Sequence, residues 1–336
     1  MSMNPVQRKV SCTYVIGVTD ETSTKRNNQT YKVTATNELN PQALIDRVET
    51  ALSTEKLDGT CCLIQEFQGV PWLWARHDRK PCKAGERRFA QFQKLKQIAK
   101  KNGEHINSVF NWNMNKDFKD PPVDWIPASQ LEVKDGVIMP DSIGHTPGWI
   151  PVQHNSRQHC WHLSAIDLNK GLALVLREDK ENPEYLVIES QPLSALCGLT
   201  CELIGTNING NPYSLGSKKF PVHLLVPHGS FLLSCPSPAD YSTMVDWFNS
   251  EGADAQVEGI VWHCSNGALY KLHRHHLNLP WPLAETRLGR KKVKVHVEEG
   301  DLNQEKNLFT QLSKLNGQVL SSLLDLHKMF DPAALS

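Results

Sequence analysis

Apolar and polar positions alternate in short runs along most of the chain, which predicts strands joined by tight turns and few long helices. Three pairs of such runs predict β-hairpins: 60–67 with 70–75, 171–176 with 185–188, and 257–262 with 268–273. The turn of the third pair is Asn266-Gly267, a dipeptide that favours tight hairpin turns. Single strands are predicted at 11–18 and 222–226. Because hairpins pair neighbouring strands, we expect mostly antiparallel sheets and not a doubly wound parallel sheet.

Helical periodicity is confined to a few stretches of the chain. Asn40-Pro41 combines an N-cap residue with proline at the first helical position, so a short helix is predicted over 42–52. Further helical stretches are predicted at 86–101, 238–250 and 302–330. Residues 102–165 carry several prolines, with tryptophans spread among polar residues, and they are expected to form a loop-rich insertion.

Composition places the chain among soluble globular proteins. It has 336 residues, of which 40% are apolar and 21% charged, and its formal net charge is zero, so total charge does not indicate a nucleic-acid partner. The nine cysteines are odd in number and contain no Cys-x-x-Cys pair, which favours a reducing compartment. No apolar run is long enough for a signal peptide or a membrane span. We therefore expect a soluble intracellular monomer, with cytosol and nucleus not distinguished.

Although the formal net charge is zero, the basic residues are concentrated in two stretches of the chain. Between Arg76 and Lys101, ten Lys or Arg residues face two acids, and 287–294 holds five more basic residues. A basic amphipathic helix at 86–101 is consistent with a solvated face whose apolar side packs inward through Phe89, Phe92, Leu95 and Ile98. It is equally consistent with contact to a nucleic-acid backbone.

The stretch Glu55-Lys56-Leu57-Asp58-Gly59 has the pattern of a lysine nucleophile site. A lysine attacks only as the neutral amine, and a reference pKa of about 10.4 leaves roughly one amine in a thousand neutral at pH 7. Neighbouring cations or a metal ion must therefore lower the pKa of such a lysine. A glycine after the aspartate lets the backbone pass close to a ligand. Taken alone, the tetrapeptide Lys56-Leu57-Asp58-Gly59 is also typical of an exposed turn before a strand.

Three other charged residues lie in or beside apolar, strand-like stretches: Glu202, Glu258 and Lys271. Core strands rarely hold charges unless the charges are paired or functional. Together with Lys56, the ordered set favours a single site. Buried ion pairs for the two glutamates, and a strand-edge role for Lys271, remain alternatives at this point.

The order of these residues resembles that of the covalent nucleotidyltransferases, the superfamily of polynucleotide ligases and RNA capping enzymes. The resemblance implies that Lys56 is the nucleophile, that Glu202, Glu258 and Lys271 are catalytic, and that Glu258 holds a metal ion. The nucleotide-binding set that it implies is Glu55, Lys56, Asp58, Gly59, Arg76, Glu202 and Lys271.

Within that superfamily the chain is most similar to the RNA ligases. Its Glu55-Lys56-Leu57-Asp58-Gly59-Thr60 has the RNA ligase pattern, and Cys61 stands where DNA ligases and capping enzymes usually carry arginine. Longer strings resemble the vertebrate 5′–3′ RNA ligase family: 205–213, 226–229, 258–265 and 273–277, together with 74–76 and 78–81. Two departures occur. The usual Lys-x-Lys of the last motif is Lys271-Leu272-His273 here, and the residues after 285 are too few for an appended OB-fold.

The resemblance implies an α+β nucleotidyltransferase fold, like that of ATP-grasp ligases, with mostly antiparallel sheets and flanking helices. On this basis we expect an adenylyltransferase domain at 1–285, including the insertion at 102–165, and a small basic and helical appendage at 286–336. The residues expected to contact RNA are Arg79, Arg87, Arg88, Lys291 and Lys292.

The implied activity is ATP-dependent joining of RNA 5′-phosphate and 3′-hydroxyl ends through lysyl-AMP and RNA-adenylate, in RNA repair. ATP is then a substrate, and Mg²⁺, or alternatively Mn²⁺, the metal cofactor. Lys271 and Arg76 are expected to bind phosphates and to lower the pKa of Lys56, Glu202 to bind ribose hydroxyls, and a ring such as His228 or Phe220 to stack on adenine. The alternatives are a catalytically silent RNA-end-binding protein and an RNA guanylyltransferase.

Overall fold

The computed structural model describes residues 5–19, 32–103, 108–297 and 307–330. These residues form two compact units. The first contains Val10–Leu73 and Gln153–Ser336, with Met1–Val6, and the second contains Gln7–Lys9 and Trp74–Val152, in each case as far as the chain is described. Within the described residues, no helix is both long and apolar enough to cross a bilayer.

The described chain is mixed α/β and consists mostly of strands, which confirms the sheet-rich character predicted from the sequence. The strands are β1 (Ser11–Cys12), β2 (Tyr14–Thr19), β3 (Lys32–Leu39), β4 (Leu52–Lys56), β5 (Thr60–Phe67), β6 (Val70–Arg76), β7 (Ile126–Pro127), β8 (Val133–Lys134), β9 (Val137–Ile138), β10 (Gly148–Pro151), β11 (Ile166–Asp167), β12 (Leu172–Glu178), β13 (Tyr185–Pro192), β14 (Thr200–Gly205), β15 (His223–Pro227), β16 (Gly259–His263), β17 (Leu269–His273), β18 (Lys292–His296) and β19 (Val319–Leu320). The α-helices are α1 (Pro41–Ile45), α2 (Lys83–Lys101), α3 (Cys160–Ser164), α4 (Tyr241–Asn249), α5 (Leu308–Ser313) and α6 (Asp325–Phe330).

A small sheet in the first unit carries the lysine stretch. Its strand order is β1-β17-β16-β4, with β1 parallel to β17 and the other pairs antiparallel. The predicted Asn266-Gly267 hairpin is confirmed as β16 and β17. One face of this sheet is buried in a core that includes Ile260, Trp262 and Leu272. The opposite face is therefore available for a site.

A larger sheet in the same unit runs in the order β19-β18-β13-β12-β15-β14-β5. Most of its pairs are antiparallel, including the predicted β12–β13 hairpin, but β12 is parallel to β15 and β13 is parallel to β18. The adjacent strands β5, β14 and β15 carry buried side chains such as Ile64, Leu203 and Leu224. These three hydrogen-bonded strands give the side chains that they carry a rigid support.

The C-terminal stretch does not form the long helix predicted over 302–330. Two short helices, α5 and α6, flank strand β19, which pairs with β18; residues 302–306 lie outside the described part. Gly317, at a φ of 77°, interrupts the helical path. The apolar residues that suggested a helix, such as Leu312 and Leu323, are buried against β18 and β13 instead. The division at 285/286 stays a prediction about domains, while Val293 and Val295 belong to the core of the first unit.

The second unit holds the basic helix. Its sheet is the end of β6 paired with β10, which pairs with β7. Helix α2 confirms the predicted basic helix and begins at Lys83. Of the four apolar residues predicted to face inward, Phe89 contacts Phe110, but Leu95 and Ile98 are 60% and 46% exposed. The apolar side packed inward through all four residues, one of the two alternatives for this helix, is therefore not formed, because the aromatic cluster covers only the N-terminal half of the helix.

Candidate functional site

Lys56 and Lys271 lie on the same face of the small sheet. Lys56 is the last residue of β4, two positions beyond Thr54. Thr54 is the cross-strand partner of Val261, and Val261 is the partner of Lys271. Directly opposed residues share a face, as do residues two apart on one strand. The register thus brings the two lysines predicted at the site to the face that is not buried in the core.

The side chain of Lys56 contacts the carboxylate of Glu258. Nζ lies 2.5 Å from Oε2 of Glu258 and donates a longer hydrogen bond of 3.3 Å to the carbonyl of Leu57. The Lys56 side chain is 22% exposed, whereas that of Glu258 is only 1% exposed. A carboxylate this deeply buried needs a compensating charge, and Lys56 supplies one.

The pKa of Lys56 is raised in this structure, contrary to the sequence-based expectation that neighbouring cations would lower it. Burial lowers the pKa of the amine, but the negative charges of Glu258, Glu202 and Asp58 together outweigh burial and raise it. Three carboxylates are therefore close enough to act on one ammonium group. Carboxylate oxygens are the type of donor that hard divalent cations prefer.

The carboxylate of Glu202 contacts groups from the two neighbouring parts of the chain, the residue before β5 and the residue after β15. On β14, Glu202 is opposite Cys61 of β5, and its Oε1 accepts a hydrogen bond of 3.1 Å from the backbone N–H of Gly59. Its Oε2 lies 2.9 Å from Nε2 of His228, which follows β15. The Nδ1 atom of the same imidazole lies 2.9 Å from Oγ1 of Thr200. His228, one of the two rings considered for adenine stacking, therefore contacts a residue of the predicted site directly.

Gly59 is required by a close approach of the chain to β14. A Cβ at this position would lie 2.4 Å from the carbonyl oxygen of Leu203 and 2.8 Å from Cγ of Glu202. The close approach to β14 is a structural reason for a glycine here. Its predicted contact with a ligand stays a prediction.

Asp58 is held by residues that the sequence analysis did not single out as site residues. Its Oδ1 accepts a hydrogen bond of 2.9 Å from the side-chain amide of Asn209, and its Oδ2 accepts one of 2.8 Å from the indole N–H of Trp281. Its backbone N–H donates to the hydroxyl of Tyr213 at 2.9 Å. The string 205–213, noted for its resemblance, was the available signal for Asn209 and Tyr213, whereas nothing in the sequence pointed to Trp281.

Glu55 points away from Lys56. Adjacent residues on a strand face opposite sides, and the side chain of Glu55 is 0% exposed, with Oε2 3.2 Å from Nη1 of Arg287. Arg287 also contacts Asp254 at 2.8 Å and Glu178 at 3.1 Å. Burial raises the pKa of Glu55 to about 7, although the charge of Arg287 opposes this shift. Its predicted contact with a nucleotide stays a prediction.

Arg76 lies in the second unit. Its Nε is 2.6 Å from Oδ1 of Asp78, its Nη1 donates to the carbonyl of Gln7 at 2.8 Å, and its guanidinium carbon lies 4.8 Å from the ring centroid of Trp149. It lines a groove of about 580 Å³ whose other residues are His77, Asp78, Arg79, Lys80, Lys119, Asp120, Pro121 and Pro122. Four of the lining side chains carry positive charge and two carry negative charge, so the groove suits an anion.

The other residues predicted to contact RNA differ in their surroundings. Arg87 and Lys292 are exposed. Arg88 pairs with the buried carboxylate of Asp117, and Lys291, only 12% exposed, lies 2.6 Å from Oε1 of Glu178. Arg88 and Lys291 thus neutralise acids within the protein. Arg87 and Lys292 are instead exposed to solvent, where a phosphate has access to them.

Comparison with known proteins gives consistent matches over nearly the whole chain. Residues 1–329 match the sequence model of the family described as RNA ligase 1. RNA ligase 1 of Danio rerio is 45% identical over 333 residues, covering 98% of this chain and 99% of that protein. The same-named proteins of Rattus norvegicus and Mus musculus are 45% and 44% identical, each covering 96% of this chain and 98% of their own length.

Proposed function

Because the chain belongs to the RNA ligase 1 family, as its sequence resemblance indicated, we propose that it is an ATP-dependent RNA ligase with a nucleotidyltransferase fold. It joins a 5′-phosphate to a 3′-hydroxyl end and acts in RNA repair. The observation that carries this proposal is the contact between Lys56 and Glu258, with Glu202 and Asp58 close by and Lys271 on the same sheet face. A lysine among carboxylates in an apolar sheet is unexplained by stability alone.

The reaction proceeds in three steps. The neutral amine of Lys56 attacks the α-phosphorus of ATP, the bond to the bridging oxygen breaks, and pyrophosphate leaves, giving lysyl-AMP. The RNA 5′-phosphate oxygen then attacks the same phosphorus and releases the lysine, giving RNA-adenylate. Finally the 3′-hydroxyl attacks the activated 5′-phosphate and AMP leaves. Each step is positioning and charge neutralisation around phosphorus.

The residues present fit a Mg²⁺ ion, with Mn²⁺ as an alternative. The carboxylates that raise the pKa of Lys56 are oxygen donors of the type that these ions prefer, and Glu258 is the one in direct contact with the nucleophile. Bound there, the ion neutralises negative charge on the carboxylate and on the phosphates. Removal of negative charge beside Lys56 favours the neutral amine that the first step needs.

The remaining roles follow from position and charge. Lys271, on the same face as Lys56, binds phosphates of the nucleotide, and the nucleotide contact of Arg76 stays a prediction from the sequence. Glu202, held by Gly59 and His228, accepts hydrogen bonds from the ribose hydroxyls, and the imidazole of His228 is then beside the sugar. Asp58, fixed by Asn209 and Trp281, holds in place the connection between β4 and β5 that follows Lys56.

The RNA backbone is bound by cations that are exposed or line the basic groove. Arg79 lines the basic groove of the second unit, and Arg87 lies on the exposed side of α2. Lys292 is exposed on β18 of the first unit. Exposed lysines and arginines bind phosphates with release of counterions, so this binding depends on salt.

The test is covalent labelling. The protein is incubated with Mg²⁺ and either ATP or GTP labelled at the α-phosphate, and the label is followed on the denatured chain. We expect labelling by ATP, loss of the label in Lys56→Ala, and unchanged labelling in Lys314→Ala, whose side chain is exposed. An adduct formed with GTP alone would indicate a guanylyltransferase, and no adduct with either nucleotide would indicate a silent RNA-end-binding protein.

A further inference from the structure

Cys61, Glu202 and His228 form a compact group of possible metal ligands. The Sγ of Cys61, a carboxylate oxygen of Glu202 and an imidazole nitrogen of His228 all lie within 4.8 Å of one another. Among the residues that the structure describes, this is the one group of three or more such side chains that meets this spacing. The three residues are hereafter the Cys61–Glu202–His228 cluster.

The sheet fixes the relative positions of these side chains. Cys61 of β5 and Glu202 of β14 are directly opposed in an antiparallel pair, so their side chains are on the same face. His228 follows β15, the neighbour of β14 on its other side, and its backbone N–H donates to the carbonyl of Thr200 at 3.0 Å. Two adjacent strands and the residue directly after a third thus supply the donors, a more rigid support than a long loop would give.

The donor set differs from that of the proposed Mg²⁺ site. Mg²⁺ prefers oxygen ligands, whereas a thiolate, an imidazole and a carboxylate together favour Zn²⁺ and similar borderline ions. In a tetrahedral zinc site, bonds of about 2.0–2.3 Å place the donor atoms roughly 3–4 Å apart. The atoms of the cluster need only small side-chain adjustments to reach these separations, and a water molecule completes the fourth position.

The groups around the cluster suit metal binding. The second ring nitrogen of His228, Nδ1, lies 2.9 Å from Oγ1 of Thr200. When Nε2 binds an ion, the neutral imidazole carries its proton on Nδ1, and the hydroxyl oxygen is able to accept a hydrogen bond from that N–H. Histidine ligands usually donate their other N–H in this way. The Oε1 of Glu202 is held by Gly59 at 3.1 Å, so that Oε2 is the oxygen directed at the imidazole. All three ligands are partly exposed, so an ion has access.

From this geometry we propose that the Cys61–Glu202–His228 cluster binds Zn²⁺ and that the bound ion inhibits lysyl-AMP formation by competing with ATP. Binding forms bonds from the ion to sulfur, nitrogen and oxygen, and the thiol proton of Cys61 passes to solvent. The competition rests on the proposed function, because Glu202 is the residue assigned to the ribose of ATP. The ion and the nucleotide cannot both use its carboxylate, so free Zn²⁺ becomes an inhibitor that a chelator reverses.

The binding test uses Co²⁺, which occupies zinc sites and reports its ligands by absorption. The full chain is titrated with Co²⁺, and thiolate-to-cobalt charge transfer and tetrahedral d–d bands are recorded. We expect both bands at one ion per chain in the wild type. The control variant Cys197→Ser, which removes an exposed cysteine outside the cluster, should show the same bands. Cys61→Ser should lose the charge-transfer band, and His228→Gln should bind at least about tenfold more weakly. Equal bands in Cys61→Ser would overturn the proposal.

The activity test measures labelling by ATP at fixed Mg²⁺ with increasing Zn²⁺. In the wild type, Zn²⁺ should raise the apparent KM for ATP and leave the rate at saturating ATP unchanged, with full recovery on chelation. Cys61→Ser, whose altered side chain has no assigned part in catalysis, should require at least about tenfold more Zn²⁺ for the same inhibition. Equal inhibition of both proteins, or a lowered rate at saturating ATP, would show that the ion acts elsewhere.

The two proposals fail separately. Wild-type labelling without the Cys61-dependent cobalt bands would overturn the zinc site and leave the ligase function standing. Cobalt bands that depend on Cys61, in a protein that ATP does not label, would support the metal site and overturn both the ligase function and the inhibition. Thermal unfolding of each variant shows whether it is folded, and His228→Gln replaces Cys61→Ser as the binding variant if the latter is not.

Discussion

The Nζ atom of Lys56 lies 2.5 Å from Oε2 of Glu258, so the nucleophile of the proposed reaction is held as a cation by a buried carboxylate. The contact raises the pKa of Lys56, with burial acting in the opposite direction. Glu258 therefore has two effects that oppose each other. Without a metal ion, Glu258 holds the lysine in place and keeps it protonated, and a protonated amine cannot attack. As the proposed metal ligand, Glu258 also binds the ion whose positive charge favours the neutral amine.

The first prediction is that labelling of Lys56 by ATP accelerates as the pH rises. Only the neutral amine attacks, and below the pKa its fraction increases about tenfold for each pH unit. At limiting Mg²⁺, where Glu258 still raises the pKa of Lys56, the rate should still be increasing at about pH 9. Initial rates of label incorporation across this range provide the measurement. A plateau below about pH 8 would mean that Lys56 is already neutral there.

Glu258→Gln separates the two effects of this carboxylate. If Glu258 only kept Lys56 protonated, the variant would react faster at neutral pH. As the metal ligand, it should instead react more slowly by about 100-fold or more, since loss of a group that stabilises transition-state charge typically costs about 3 kcal/mol. Glu285→Gln, on an exposed side chain, is the matched control. Chelation of divalent cations should abolish labelling of the wild type.

A second prediction concerns the buried ion-pair network behind the nucleophile. Arg287, 8% exposed, contacts Glu55, Glu178 and Asp254, so Arg287→Ala leaves the buried carboxylate of Glu55 without its cation and should cost about 3–5 kcal/mol in the free energy of unfolding. Arg290→Ala, which breaks an exposed pair, should cost about 1 kcal/mol or less. Denaturant unfolding of both variants checks this. Similar losses would show that Arg287 adds little to stability.

The third prediction is a pH dependence of stability from Glu55. Burial raises its pKa from 4.5 to about 7, so the folded protein binds this proton more tightly than the unfolded chain. The stabilisation is complete below about pH 4.5 and is lost as the pH rises to about 7. Glu55→Gln, which carries no ionisable group, should therefore gain stability relative to wild type between about pH 5 and pH 8. Parallel thermal unfolding profiles over that range would contradict the raised pKa.

The fourth prediction concerns Gly59. A methyl group there would meet the carbonyl oxygen of Leu203 at 2.4 Å and Cγ of Glu202 at 2.8 Å, so Gly59→Ala must push the loop away from β14. We expect labelling by ATP to fall by about 100-fold, since small misplacements of a nucleophile have effects of this size. Gly252→Ala, whose Cβ would have only Ser250 Oγ at 3.4 Å, is the control and should keep its activity. Equal activities of Gly59→Ala and Gly252→Ala would mean that β14 shifts enough to accommodate the methyl group without displacing Lys56.

The fifth prediction separates RNA binding from nucleotide binding. Arg87→Gln combined with Lys292→Gln should leave lysyl-AMP formation intact, weaken the joining of RNA ends and flatten the salt dependence of RNA binding. Arg88→Gln and Lys291→Gln remove partners of Asp117 and Glu178, so they should lower the unfolding temperature instead. Loss of labelling in the first pair, with RNA affinity unchanged, would move these residues from the RNA surface to the nucleotide site or the fold.

Local chemistry made several elements predictable from sequence. The Asn266-Gly267 turn selects a hairpin whatever surrounds it, and β16–β17 confirms it. Asn40 accepts a hydrogen bond from the N–H of Gln42 and caps α1 as predicted. The C-terminal leucines gave the wrong element, because spacing cannot distinguish a continuous helix from two short ones that pack on a sheet with a glycine between them.

The sequence by itself determined the family, the order of the charged residues and most hairpins, because these depend on residue identity and neighbouring turns. Only the tertiary structure decided what each charge meets. Lys56 and Glu258 are 202 residues apart, and Arg287 and Glu55 are 232 apart, so no local pattern links them. Strand pairing likewise decided that Glu55, and not Lys56, faces the core beside Ile260, and it set Cys61 opposite Glu202. Pairing between distant strands fixes such contacts, since each side chain's face depends on the partner to which its strand is bonded.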